Sequence, residues 1–133
     1  MKAVKSRITN GLSHGSLVPT CDNSGAKVVR IVSIIGSKTV RRRKPSAGVG
    51  NLLLVAVKKG DKDTLKQVMY AVIVRQRRAY RRSDGLRIMF EDNAVVILKD
   101  DKGTPSGTIF KGPIAKEAVD RWPGIAKVAS IVV

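Results

Sequence analysis

KQVMYAVIVRQRRAYRRSDGLRIMFEDNAVVILKD, residues 66–100, decides how the rest of the chain is read. It opens on a run of valine, isoleucine and small residues, whose branched side chains suit a pleated sheet better than a helix. At its basic end the strand alternates: Val72, Val74 and Gln76 fall on one face, Ile73, Arg75 and Arg77 on the other. Ser83, Asp84 and Gly85 make a turn, after which LRIMFEDNAVVILKD returns as two extended segments around Glu91, Asp92 and Asn93. Five arginines therefore crowd residues 75–82, directly behind a core strand.

Upstream lies NLLLVAVKKG, residues 51–60, a near-continuous apolar strand that closes on Lys58, Lys59 and Gly60. Before it, TVRRRKPSAGVG (39–50) reads as a loop or edge ribbon. SLVPTCDNSGAKVVRIVSIIG (16–36) reads as a strand, an Asx-rich turn at Asp22–Gly25 and a second strand. Strands at this spacing favour a small barrel or sandwich. Downstream, GPIAKEAVDRWPG (112–124) reads as a short helix started by Gly112 and Pro113 and ended by Pro123. Ile114, Ala118, Val119 and Trp122 share one side of it. This helix is expected to cover an open end of the barrel, with VASIVV (128–133) as a last extended segment. The chain of 133 residues is read as one domain, 1–133, with an N-terminal arm (1–15) and a C-terminal helical and extended cap (112–133).

Charge is the strongest compositional signal. Lys and Arg number 26 against 10 acids, a formal charge of +16. Residues 41–82 hold 13 of the bases and two acids, for +11, residues 1–40 carry +5, and the last 51 residues balance at seven of each sign. A solubility device would spread its charge, whereas an electrostatic footprint concentrates it. A nucleic acid is the natural partner.

Other chemistries find little support. A single cysteine, Cys21, allows no intrachain disulfide, which suits a reducing compartment. The apolar runs are too short to span a bilayer and Met1–Leu17 lacks a signal-peptide core, so a soluble intracellular protein with no membrane partner is expected. One histidine, His14, and one cysteine are too few for a zinc site. Glu91 and Asp92 point to opposite faces of a strand, and Asp100 and Asp101 sit in a turn beside Lys99 and Lys102, so general acid–base catalysis is not expected. AGVGN and GTPSG lack the context of phosphate loops and read as turns. No enzyme activity, cofactor or metal is expected.

The basic clusters survive this weighing. Arginine dominates both, as suits bidentate gripping of phosphate, and no recognition helix for a DNA groove is present. Tyr80 either stacks on a base or packs inside. Folded RNA, read by shape and phosphate, is the expected target. A free nucleic-acid chaperone or chromatin protein would explain the charge equally well, and an RNA-modifying enzyme explains it less well.

AVIVRQRRAYRRSDGLRIMFEDNAVVI (71–97), with CDNSGAK near residue 21, RRRKPSAGVG near 41 and FKGPIAKEAVDRW near 110, resembles the universal large-ribosomal-subunit protein family L-fourteen, in that family's order and spacing. The triple arginine before Pro45 and the Arg-Trp-Pro tail resemble its archaeal and eukaryotic branch, the archaeal members most. The resemblance implies a mainly β fold, a small closed five-stranded β-barrel with a projecting β-ribbon and short C-terminal helices. It implies a structural constituent of the large ribosomal subunit in the cytoplasm, which binds large-subunit rRNA at the subunit interface and contributes to bridges with small-subunit rRNA. The implied protein neighbours are ribosomal proteins L-three and L-twenty-four-e and the anti-association initiation factor six. On this reading Arg41, Arg42, Arg43, Lys44, Lys58, Lys59, Arg75, Arg77, Arg78, Arg81 and Arg82 contact rRNA. Lys111, Lys116, Arg121 and Trp122 are the candidates for protein contacts, with a plug of the barrel as the other reading of Trp122.

Overall fold

The structure, a computed structural model, describes residues 1–133. Eleven strands and two short helices follow in chain order: β1 (Leu12–Ser13), β2 (Leu17–Pro19), β3 (Ala26–Ile34), β4 (Ser46–Ala47), β5 (Leu52–Gly60), β6 (Val68–Arg75), β7 (Tyr80–Arg81), β8 (Arg87–Ile88), β9 (Ala94–Leu98), β10 (Pro113–Ile114), α1 (Lys116–Arg121), α2 (Pro123–Ala126) and β11 (Ile131–Val132). The protein is mainly β. Five strands make the central antiparallel sheet in the order β2-β3-β5-β6-β9. Its two edge strands meet at one point, where Thr20 and Val95 form a parallel bridge and the Cys21 N–H donates to the Val95 carbonyl at 3.0 Å.

Side-chain alternation explains the sheet where one face is wet. On β3, Ala26, Val29, Ile31 and Ile34 are buried while Lys27, Arg30 and Val32 face solvent. β6 and β9 are different: residues 71–76 and 94–98 are all buried. Such unbroken burial requires cover on both faces. The C-terminal cap supplies it, through the buried Ile114, Ala115, Ala118, Trp122 and Ile125. The Ala115 N–H donates to the Val74 carbonyl at 3.1 Å, where a register shift between Ile73 and Arg75 lets β6 part from β9. The deepest core thus lies behind the basic stretch.

The cap departs from the sequence expectation. Gly112 and Pro113 do not start a helix: Pro113–Ile114 is a strand paired in parallel with β11. Arg75 donates to the carbonyls of Lys111 and Pro113, both at 2.9 Å, and holds this segment extended. The helix begins only after Ala115, and Pro123 both ends it and opens α2 as its first residue. Proline suits that position, where no N–H donor is needed. Trp122, the last residue before α2, donates its Nε1–H to the Gly50 carbonyl at 2.8 Å and is 1% exposed. It is buried inside the protein, not exposed as a surface anchor.

Candidate nucleic-acid interface

The five arginines of residues 75–82 do not share one fate. Arg75 is 8% exposed. Its Nε and Nη2 donate to the two oxygens of Asp92 at 2.9 and 3.1 Å, and Nη1 takes the two carbonyls of the cap. Arg82 donates through Nε to Glu117 Oε1 at 2.6 Å and through Nη2 to the Val133 carbonyl. Glu117 is buried, and the buried Tyr80 donates its hydroxyl to Glu117 Oε2 at 2.8 Å. Burial and the neighbouring carboxylate push the Tyr80 phenol well above its usual range. Tyr80 is therefore packed, and Arg75 and Arg82 are internal ties, the first to the β9 turn and the second to the cap.

Arg77, Arg78 and Arg81 remain outside. All three are exposed and none forms a salt bridge. The two salt bridges of the molecule are those of Arg75 and Arg82. Arg81 on β7 stands directly opposite Arg87 on β8, which is also exposed. Like charges at facing positions of a strand pair repel, and an anion between them removes that cost. Arg87 was missed from sequence because only the hairpin register brings it to the cluster. Arg41, Arg42, Arg43 and Lys44 are exposed in the loop between β3 and β4, and Lys58 and Lys59 are exposed at the end of β5.

One buried amide ties the 75–82 stretch to the segment after β4 and to the N-terminal arm. Gln76 is fully buried and lies on the inward face with Val72 and Val74. Its Oε1 accepts the Val49 N–H at 3.0 Å, while Nε2 donates to the carbonyls of Thr9 at 2.8 Å and Arg78 at 2.9 Å. Val49 follows the Arg41–Lys44 loop, Arg78 belongs to the second cluster, and Thr9 to the N-terminal arm. The arm is pinned further by the Gly11 N–H on the Ala47 carbonyl at 2.9 Å, next to the short β1–β4 ribbon. A polar residue at an inward position was the sequence signal for this tie, and its partners were not legible.

The remaining candidate chemistry is structural. Cys21 is a buried free thiol whose pKa burial pushes up to about 11. Asp22 is buried, accepts the Ile97 N–H at 2.9 Å and the Ser24 hydroxyl at 2.9 Å, and burial raises its pKa. No group of three or more His, Cys, Asp or Glu side chains is placed to hold a metal, and no helix is long and apolar enough to cross a membrane. AGVGN and GTPSG are turns and short bridges: Asn51 Oδ1 accepts the Gly48 N–H at 3.2 Å, and Pro105 bridges Leu98. Of the protein-contact candidates, Lys111 and Lys116 are exposed, Arg121 is half-buried with its pKa lowered by desolvation, and Trp122 is inside.

Comparison with known proteins identifies relatives along nearly the whole chain. The family described as ribosomal protein L14p/L23e matches residues 11–133. The chain is 49% identical over 133 residues to the large ribosomal subunit protein uL14 of Nanoarchaeum equitans, with both chains covered in full. It is 53% identical over 128 residues to the uL14 protein of Pyrobaculum aerophilum, covering 95% of this chain and 88% of that one. The uL14 protein of Picrophilus torridus is 47% identical over 133 residues, again with both chains covered in full.

Proposed function

The chain belongs to the ribosomal protein L14p/L23e family, and on that premise we propose that it is a structural constituent of the large ribosomal subunit, not an enzyme, which works on the ribosome in the cytoplasm and grips large-subunit rRNA. The observation that carries the RNA contact is the set of exposed bases without an acidic partner: Arg41, Arg42, Arg43, Lys44, Lys58, Lys59, Arg77, Arg78, Arg81 and Arg87. Each gains little from the protein and would neutralise a phosphate with release of counterions. We assign Arg75 and Arg82 to holding the surface in shape, because the Arg75 guanidinium donates to Asp92 and the carbonyls of Lys111 and Pro113, and Arg82 donates through Nε and Nη2 to Glu117 and the Val133 carbonyl.

The proposed scaffold is a small closed β-barrel. The Thr20–Val95 bridge between the two edge strands supports closure, since a sheet whose edges pair leaves none open for another chain. We assign the near-neutral side around Lys111, Lys116 and Arg121 to protein neighbours, with ribosomal proteins L-three and L-twenty-four-e and the anti-association initiation factor six as candidates on the family resemblance. Bridges to small-subunit rRNA belong to the same reading.

Sucrose-gradient sedimentation of a native lysate, with this chain followed by mass spectrometry at rising salt, tests the assignment. Retention in the large-subunit peak at high salt is expected. A chain that washes off early or follows DNA would support a free nucleic-acid chaperone instead.

A further inference from the structure

The loop between β3 and β4 contains a feature that turn chemistry does not favour. Arg41 and Arg42 both have positive φ, 55° and 62°. Two successive residues with positive φ mark the middle of a tight turn of the primed kind, where asparagine followed by glycine is the favoured pair. Arginine is strained there, because its Cβ crowds the following carbonyl. Residues 38–44 form no hydrogen bond, backbone or side chain, to the rest of the protein, so beyond its own closure the turn has nothing to offset the strain. Arg41, Arg42, Arg43 and Lys44 are all exposed, the aliphatic side chain of Val40 beside them is 65% exposed, and no acid lies between Asp22 and Asp61.

Strained left-handed backbone clusters at ligand clamps and switch regions, and here it coincides with four consecutive exposed bases. Adjacent Cα atoms are about 3.8 Å apart, so two guanidiniums from one turn reach neighbouring phosphates, not phosphates a helical turn apart. We propose that Val40–Arg43 is a strained turn that offers the paired guanidiniums of Arg41 and Arg42 to two closely spaced phosphates of a bent RNA backbone, and that this contact holds the turn. The inference rests on the RNA reading given above and adds to it a specific element and ligand geometry. The base of the loop is fixed by His14 N–H on the Pro45 carbonyl at 3.0 Å and by the Gln76 tie at Val49, so the turn projects from a firm root.

Replacing Arg41-Arg42 by Asn-Gly relieves the strain and removes the charge, while Lys-Lys keeps the charge and removes the planar fork. Both full-length variants are titrated with deproteinised archaeal large-subunit rRNA over a salt series, beside a variant carrying Arg77→Ala, Arg78→Ala and Arg81→Ala. The Asn-Gly variant is expected to gain about 2–8 °C in Tm. It should lose roughly tenfold in affinity for each charge-assisted contact removed, and the salt slope should fall by about 0.7–0.9 per lost phosphate contact. Lys-Lys should keep the slope and bind severalfold more weakly. An Asn-Gly variant with unchanged slope or lower Tm, alongside a triple alanine variant that does lose slope, overturns this inference and leaves the RNA reading standing. If the triple alanine variant also keeps its full slope and affinity, the RNA reading falls, and this inference with it.

Discussion

At the scale of single residues, arginines a few positions apart do opposite work. Arg75→Met should destabilise the protein by about 2–4 kcal/mol, because two carbonyls of the cap lose their donor, while Asp92, its side chain 51% exposed, can return to water. Arg77→Ala should change stability by less than about 0.5 kcal/mol and lower the salt slope of rRNA binding; urea unfolding of both variants checks the contrast. Asp22 makes a separate point. Its carboxyl pKa is raised in the folded state by burial, so its contribution is most favourable below the ordinary aspartate range and is lost as pH rises through the raised value. Thermal unfolding from pH 3 to 7 should show that loss in the native protein and a flatter profile for Asp22→Asn. Equal profiles would mean the carboxylate is as well solvated folded as unfolded. The basic clusters were legible from residue type alone. Which arginines stay free was not, because Asp92, Glu117 and the carbonyls of Lys111 and Pro113 lie 17 to 38 positions away from the arginines they bind.

At the scale of elements, the long strands were legible and the cap was not. β3, β5, β6 and β9 follow from branched residues bounded by turn signals, and their spacing predicted a mainly β protein. Pro113 read locally as a helix start, yet Arg75 and the β11 pairing hold it extended. Tertiary partners overrode the local signal. The cap in turn depends on a close approach: a Cβ at Gly103, which sits at φ +95°, would lie 2.5 Å from Trp122 Cε3. Gly103→Ala should therefore displace the indole, break its bond to the Gly50 carbonyl and lower stability by more than about 2 kcal/mol. Trp fluorescence during denaturation would report the shift. An unchanged midpoint and spectrum would show that the turn of residues 100–104 moves away freely.

At the scale of the whole molecule, the basic surface rests on an interior that does not need it. The exposed arginines form no ion pairs, whereas the sheet is sealed by the cap, Gln76 and the two paired arginines, Arg75 and Arg82. Binding and folding should therefore separate. The concentration of charge was legible along the chain, but the Gln76 tie to Val49 and Thr9 and the facing pair Arg81 and Arg87 needed the fold. The most direct test is to bind the native protein and a variant with Arg77→Glu, Arg78→Glu and Arg81→Glu to large-subunit rRNA across a salt series, with circular dichroism of both. A folded variant whose affinity drops by orders of magnitude, with the salt slope reduced by two or more contacts' worth (roughly 0.7–0.9 each), is the predicted result. A folded variant that binds rRNA with native affinity and slope would contradict the account.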